Sequence, residues 1–254
     1  MSLDACPYGE PSHVAMGRAT RSVAMEGFPG VGLALQDRGA RMRIAGSVDV
    51  DAAMKGLREA RAVFHSEADF QHAFAWAVHR LDSAVQVRLE VRQDAREYLD
   101  LLCFGPQGRT AIEFKYFTAR WEGVDPDTGE EFRLRTHAAS DVARRDFVFD
   151  IVRLEQFCHA SQVPMDGLAL MLTNYRGLWE PPVRSRRTRD HEFRIHEGRR
   201  LTGTLRWGME DDHHLPNQRE LVGHYPLIWR DFARLDGRNG FLRWLPVPVW
   251  APGT

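Results

Sequence analysis

Lysine is nearly missing from this chain: of 34 cationic side chains only Lys55 and Lys115 are lysines, and arginine supplies the rest. Cysteine is scarce too. Cys6, Cys103 and Cys158 are widely spaced and only three in number, which excludes four-cysteine zinc and iron–sulfur sites. Cys103 and Cys158 lie in apolar runs and read as reduced core thiols of a cytoplasmic protein. There is no apolar run of bilayer-spanning length and no secretory h-region, so neither a membrane span nor export is expected. A dominant charge is absent as well. With a net charge of −1, no global field advertises a polyanion partner, and any nucleic-acid contact has to come from local arginine clusters.

What remains is the composition of a globular protein, 43% apolar and 27% charged over 254 residues, long enough for a sizeable core. Residues 1–50 are rich in Gly, Ala, Ser and Arg with weak periodicity. They read as a poorly ordered extension or as translation from an over-early start. Gly30-Val31-Gly32 is not a phosphate loop, because neither Lys nor Ser/Thr follows at the required spacing.

The most informative stretch is Glu97 to Phe117, two apolar-rich runs flanking Gly105-Pro106-Gln107-Gly108. This is a β-hairpin signal. A four-residue loop over Gly105–Gly108 pairs Phe104 with Arg109, Leu101 with Ile112, Asp100 with Glu113 and Leu99 with Phe114. Side chains alternate along a strand, so Asp100, Glu113 and Lys115 share the face opposite the aliphatic pairs. Opposed carboxylates repel unless a cation lies between them. A hard divalent ion accepts one or two protein carboxylates, with water and phosphate oxygens completing its shell. That one of only two lysines falls in Glu113-Phe114-Lys115 suggests that a compact ammonium, rather than a forked guanidinium, is wanted there. The plainer alternative is an ordinary ion pair on an exposed strand.

Before the hairpin, helices are expected from about Asp51 and from Ser66, a good N-cap with Asp69 three residues on. Phe70, Phe74, Ala77, Val78 and Leu81 form the second helix's apolar stripe. Glu67, in its first turn, suits the helix dipole and also points toward the sheet. Val85–Val91 alternates as a strand. After the hairpin, Trp121–Val124 and Glu131–Leu134 read as a hairpin arm. Asp141–His159 reads as a helix capped by Ser140/Asp141, and Gly167–Leu172 as a buried strand. On that helix Arg144, Arg145, Asp146, Asp150, Arg153, Glu155 and Gln156 form a charged face suited to solvent, with i,i+3 pairs such as Asp150–Arg153.

Glu67 on a first helix, Asp100, Glu113-Phe114-Lys115, then a helix and a strand: this ordered set resembles the PD-(D/E)XK nuclease superfamily, from Glu67 to Trp179. Leu99 stands where the nominal motif has proline. The resemblance implies an α/β, restriction-endonuclease-like fold: a mixed central β-sheet flanked by helices in one domain over 51–254, with the core at 64–180 and a β-rich C-terminal elaboration at 181–254. It implies hydrolysis of DNA phosphodiester bonds dependent on Mg²⁺ (or Mn²⁺), leaving a 5′-phosphate. Asp100, Glu113 and the Phe114 carbonyl would ligate the metal, and Glu67 would bind a second ion or a metal water. Lys115 would orient or deprotonate the attacking water, and Arg153 and Gln156 would lie near the scissile phosphate. DNA is the expected partner, and cutting two strands would favour a homodimer. The rival expectations are an inactive relative that binds nucleic acid or protein, and an interaction module with a surface ion-pair hairpin.

Beyond Trp179, Arg184, Arg186, Arg187 and Arg189 cluster in a stretch that suits phosphate oxygens or a disordered charged loop. His191, His196, His213, His214 and His224 lack zinc spacing and read as surface histidines. Phe193–His196, Leu201–Trp207, Tyr225–Trp229 and Phe241–Val249 read as strands, the last an edge because of Pro246 and Pro248. Trp207, Trp229, Trp244 and Trp250 are expected to pack it onto the core.

Overall fold

Gly, Pro and small polar residues divide the chain into short apolar-patterned segments. The elements follow those divisions in the structure, a computed structural model that describes residues 42–93, 97–183, 187–209 and 212–250. Strands β1 (Arg43–Ile44) and β2 (Val48–Asp49) lead into helix α1 (Val50–Ala60), where the Asp49 side chain accepts the Ala52 N–H. Helix α2 (Glu67–Leu81) is capped by Ser66, whose Oγ accepts the Asp69 N–H at 3.1 Å. Then come β3 (Gln86–Arg92), β4 (Tyr98–Gly105), β5 (Gly108–Phe117) and the hairpin arm β6 (Trp121–Val124) and β7 (Glu131–Leu134). Helix α3 (Ser140–Ala160), β8 (Asp166–Thr173) and the short α4 (Arg176–Trp179) follow. The C-terminal part holds β9 (Arg200–Leu205), β10 (Gly208–Met209), β11 (Asp212–His213), β12 (Arg219–Pro226), β13 (Arg230–Arg234) and β14 (Phe241–Val249).

Among the described residues, six strands form one mixed sheet in the order β13-β14-β8-β5-β4-β3. Only β5 and β8 run parallel, as the α3 crossover between them requires. On one face, Phe70 and Phe74 of α2 meet Phe114 edge-on, at 5.2 and 5.3 Å between ring centroids, beside Leu101, Ile112 and Leu170. On the other, Phe147, Ile151 and Leu154 of α3 pack against Ala169, Met171 and Val247. Cys103 and Cys158 are buried free thiols, as expected, and burial pushes both up to about 12. No helix among the described residues is long and apolar enough to cross a membrane.

Several expectations need correction. The packed domain begins before residue 51: Ile44, Ala45 and Val48 are buried, and the Ala45 N–H donates to Thr110 Oγ1 at 2.9 Å. Residues 1–41, with Cys6 and Gly30-Val31-Gly32, lie outside the described residues. The β4–β5 loop is Pro106-Gln107 alone, because Gly105 pairs with Gly108, although the register Phe104↔Arg109 and Leu101↔Ile112 is as expected. Leu81 is exposed, since α2 turns Phe70, Gln71, Phe74, Ala75 and Val78 inward. The residue at the N-cap of α3 is Ala139, left-handed at φ 60°, and Ser140 already belongs to the helix. Phe193–His196 is a short 3-10 turn and extended chain rather than a strand. Strand β14 is interior, not an edge. Its prolines are tolerated because β13 pairs with it only up to Trp244, leaving the Pro246 and Pro248 side open. Trp207, Trp229 and Trp244 are buried, but Trp250 is exposed.

The charged face of α3 is not all solvated. Asp150 and Glu155 are buried. Glu155 accepts the N–H groups of Val222 and Gly223 at 3.2 and 2.7 Å and the Tyr225 hydroxyl at 2.7 Å, where the β12–β9 register shifts and those amides lose their strand partners. Replacing Glu155 by Ala strands buried donors. The expected loss is about 2–4 kcal/mol of unfolding free energy in urea titration, and a loss under about 0.5 kcal/mol, usual for an exposed helix position, contradicts this role.

Candidate active site

The site is made where a β-ladder stops. Strands β4 and β5 pair from Gly105↔Gly108 to Leu101↔Ile112 and no further. Beyond that point β5 continues, and alternate N–H groups on its β4 side lose their strand acceptors. Two carboxylates replace them. Asp100 Oδ2 accepts the Phe114 N–H at 2.8 Å, and Glu67 Oε2, from the first residue of α2, accepts the Tyr116 N–H at 2.7 Å. Each acid commits one oxygen to the backbone and makes no other hydrogen bond among the described residues.

The two-residue alternation is also interrupted here. Glu90 of β3 sits at φ 50°, between the pairs Leu89↔Leu101 and Val91↔Leu99. Leu101 packs on the α2 side and Leu99 on the α3 side, so Leu99 does not face Phe114 as expected.

Glu113 and Lys115 point toward α3, which sets Asp150 and Arg153 over them. Arg153 Nε donates to Glu113 Oε1 at 3.0 Å, and Arg153 NH2 donates to Asp150 Oδ1 at 2.8 Å. Lys115 Nζ lies 3.1 Å from Asp150 Oδ2 and donates to the Phe114 carbonyl at 3.2 Å. Glu113 is 1% exposed and Asp150 3%. Neither Glu113 Oε2 nor Asp150 Oδ2 accepts a well-directed hydrogen bond, although Arg153 NH2 lies 2.8 Å from the former.

Four carboxylates thus face two cations. If all were ionised, two negative charges would stay uncompensated, and the titration behaviour reflects that excess. Burial first, then the charges of Asp100 and Asp150, push the Glu113 carboxyl up to about 9 against the pull of Arg153. Burial raises Asp150 to about 6 despite Lys115 and Arg153. Burial also raises Glu67, opposed by Lys115 and the Tyr116 N–H. For Lys115, burial works against the charge, but Asp150, Glu67 and Asp100 outweigh it and hold the ammonium protonated.

The structure therefore gathers Glu67, Asp100, Glu113, Phe114, Lys115 and Arg153. Gln156 is exposed and shares no hydrogen bond with the group. Arg187 pairs with Glu192 and Arg189 with Asp141, away from it, while Arg184 and Arg186 lie outside the described residues. Sequence reading missed Asp150 as a member. Its signal was its position on α3, between Phe147, Ile151 and Leu154, which puts it on the buried stripe.

Among the described residues no group of three or more His, Cys, Asp or Glu side chains forms a ready-made metal cage. Mg²⁺ does not need one, since it keeps several waters and takes one or two carboxylates. The donors suit such an ion: hard oxygens, among them a buried Glu113 Oε2 that faces Arg153 NH2 at 2.8 Å without a directed hydrogen bond, and more carboxylates than cations. Asp100, Glu113 and the Phe114 carbonyl are the residues that would hold it.

The folded pKa of Glu113 stands above its ordinary 4.5, so the fold favours the protonated form. The resulting penalty is absent below that value, grows as pH rises, and is complete near 9. In chelator, wild-type stability is expected to fall from about pH 5 toward 9 by up to about 1.4 kcal/mol per unit. The Glu113→Gln protein should show a flatter profile, and parallel profiles for the two would contradict the assignment.

No family model matches the chain, and no curated protein or solved structure matches it.

Proposed function

We propose that the chain is a metal-dependent nuclease of the PD-(D/E)XK type, on a restriction-endonuclease-like fold, that hydrolyses phosphodiester bonds of DNA. One observation carries the reading: two carboxylates on the β4-side edge of β5 and two between β5 and α3 stand beside only two cations, a deficit that a divalent ion would fill. The order of the elements, helix acid, strand Asp, then Glu-x-Lys, supports it as well.

Asp100 and Glu113 would hold Mg²⁺ or Mn²⁺ with the Phe114 carbonyl, and Glu67 would bind a water of the ion's shell or a second ion. Such an ion supplies Lewis acidity and neutralises charge building on the phosphorane. Lys115 works as a fixed ammonium. Because its neighbours hold it protonated, it would orient the attacking water and offset charge on the phosphoryl oxygens, while the water's proton would pass to solvent and the departing oxygen would take one from solvent. Asp150 positions Lys115 through their ion pair. Arg153 offers a planar fork that suits a phosphoryl oxygen. A second reading, binding without cleavage, draws on the Arg153–Glu113 contact, which already neutralises one ligand carboxylate from within.

Cleavage of plasmid and single-stranded DNA with Mn²⁺ separates the two. Wild type is expected to cut in Mn²⁺ and not in chelator, and Lys115→Ala to lower the rate about 10²–10³-fold, the scale for losing one transition-state donor. Mn²⁺ should raise the melting temperature of wild type but not of Asp100→Ala. No metal-dependent cutting of either polymer moves the assignment to the binding reading.

A further inference from the structure

A second charged cluster, opposite in sign, lies along residues 187–199. A cavity of about 580 Å³ opens there between the start of α3 and residues 188–196, lined by Arg144, Arg189, Arg194 and His196 among others. Carboxylates also line it, but each is taken. Asp190 accepts Arg144 NH1 at 2.6 Å and the Thr188 hydroxyl, Asp141 accepts Arg189 Nε at 2.7 Å, and Glu180 accepts Arg176 Nε at 2.8 Å.

Two donors in the lining are left without a carboxylate. Among the described residues the Arg194 guanidinium makes one hydrogen bond, to Thr188 Oγ1 at 3.0 Å. His196 Nδ1 is buried with no hydrogen-bond partner among the described residues, so this histidine is not the surface group expected from the sequence. Arg199 donates one N–H to the Glu192 carbonyl at 2.8 Å, and its buried Nε has no acceptor among the described residues. Burial and then Arg199, Arg194 and Arg144 hold the His196 ring below its ordinary pKa, against the pull of Glu197. His191 is lowered likewise by burial and by Arg199, Arg194 and Arg187, against Glu192.

A buried His196 Nδ1 that carries its proton without an acceptor, beside an Arg194 fork without a carboxylate, costs free energy that a bound anion would recover. A guanidinium fork beside an imidazole matches several oxygens on one centre, and the cavity lies in the size range of small-ligand pockets. We propose that this cavity binds a phosphoryl group, with Arg194 and His196 as its donors. The group has two sources, a free phosphate and the terminal phosphate of a nucleic-acid strand. Arg144 lies six residues ahead of Asp150 on α3, about 9 Å along the helix axis, so the cavity is separate from the Glu113 cluster and does not rest on the nuclease reading.

The test uses the full chain in chelator, so the metal site plays no part. Inorganic phosphate, a 5′-phosphorylated oligonucleotide and its 5′-hydroxyl counterpart are titrated by calorimetry. Wild type is expected to bind phosphate, with Arg194→Gln weakening it at least tenfold and Asp100→Ala leaving it unchanged. A tenfold preference for the phosphorylated strand, lost in Arg194→Gln, identifies the strand as source, whereas equal strand affinities with phosphate binding retained identify the free anion. Should Arg194→Gln fail to fold, His196→Gln is expected to show the same loss. Undetectable phosphate binding, or binding unchanged in the folded variant, overturns the proposal.

Discussion

Two amide groups on one strand edge, those of Phe114 and Tyr116, organise the site. A buried backbone N–H has to find an acceptor, and β4 stops supplying them past the Leu101↔Ile112 pair. Asp100 and Glu67 supply them instead. One acid comes from the strand that diverges and the other from the helix packed on the sheet, so the same two hydrogen bonds fix the hairpin, the register of α2 and the spacing of the carboxylates. The chain uses carboxylates as backbone acceptors elsewhere too. Glu155 takes the amides freed by the shift in β12, and Asp125, fully buried, takes the Ala62 N–H at 2.9 Å.

The site differs from these structural examples in its charge. Asp125 and Glu155 are ordinary buried acceptors whose oxygens are all engaged. At the ladder break the carboxylates outnumber the cations, Glu113 and Asp150 are nearly inaccessible, and two of their oxygens lack directed hydrogen bonds. A fold selected only for stability gains little from such a group, because buried charge is costly unless fully matched. The excess is intelligible as a receptacle for positive charge brought in from outside. A complementary excess of donors around Arg194 and His196 lies further along α3 toward its N-terminus. The helix thus carries one face of each cluster, with Asp150 and Arg153 at one and Arg144 at the other.

Much of this was legible in the sequence because it rests on local rules. The glycines around Pro106-Gln107 set the hairpin register, Ser66 marked the start of α2, and period-2 and period-3.6 patterns located β5, α3 and β8. What escaped depends on tertiary context. Asp150 was assigned to solvent because an Asp–Arg pair at i,i+3 is ordinary on a helix surface, and only the sheet beneath reveals that it is buried. Leu99 joins the α3-side core while Leu101 joins the α2-side core, a break in alternation that no local pattern singles out. Pro246 and Pro248 argued for an edge strand, but the length of β13, invisible locally, decided otherwise.

The central claim is that the ladder break assembles one cation pocket from Asp100 and Glu113, and crystals grown with Mn²⁺ test it most directly. The account predicts a single anomalous-scattering peak within about 2.4 Å of a carboxylate oxygen of both residues, with Glu67 and the Phe114 carbonyl beside it. A peak elsewhere, or none while Arg153 still bridges Glu113 and Asp150 at saturating Mn²⁺, would contradict it.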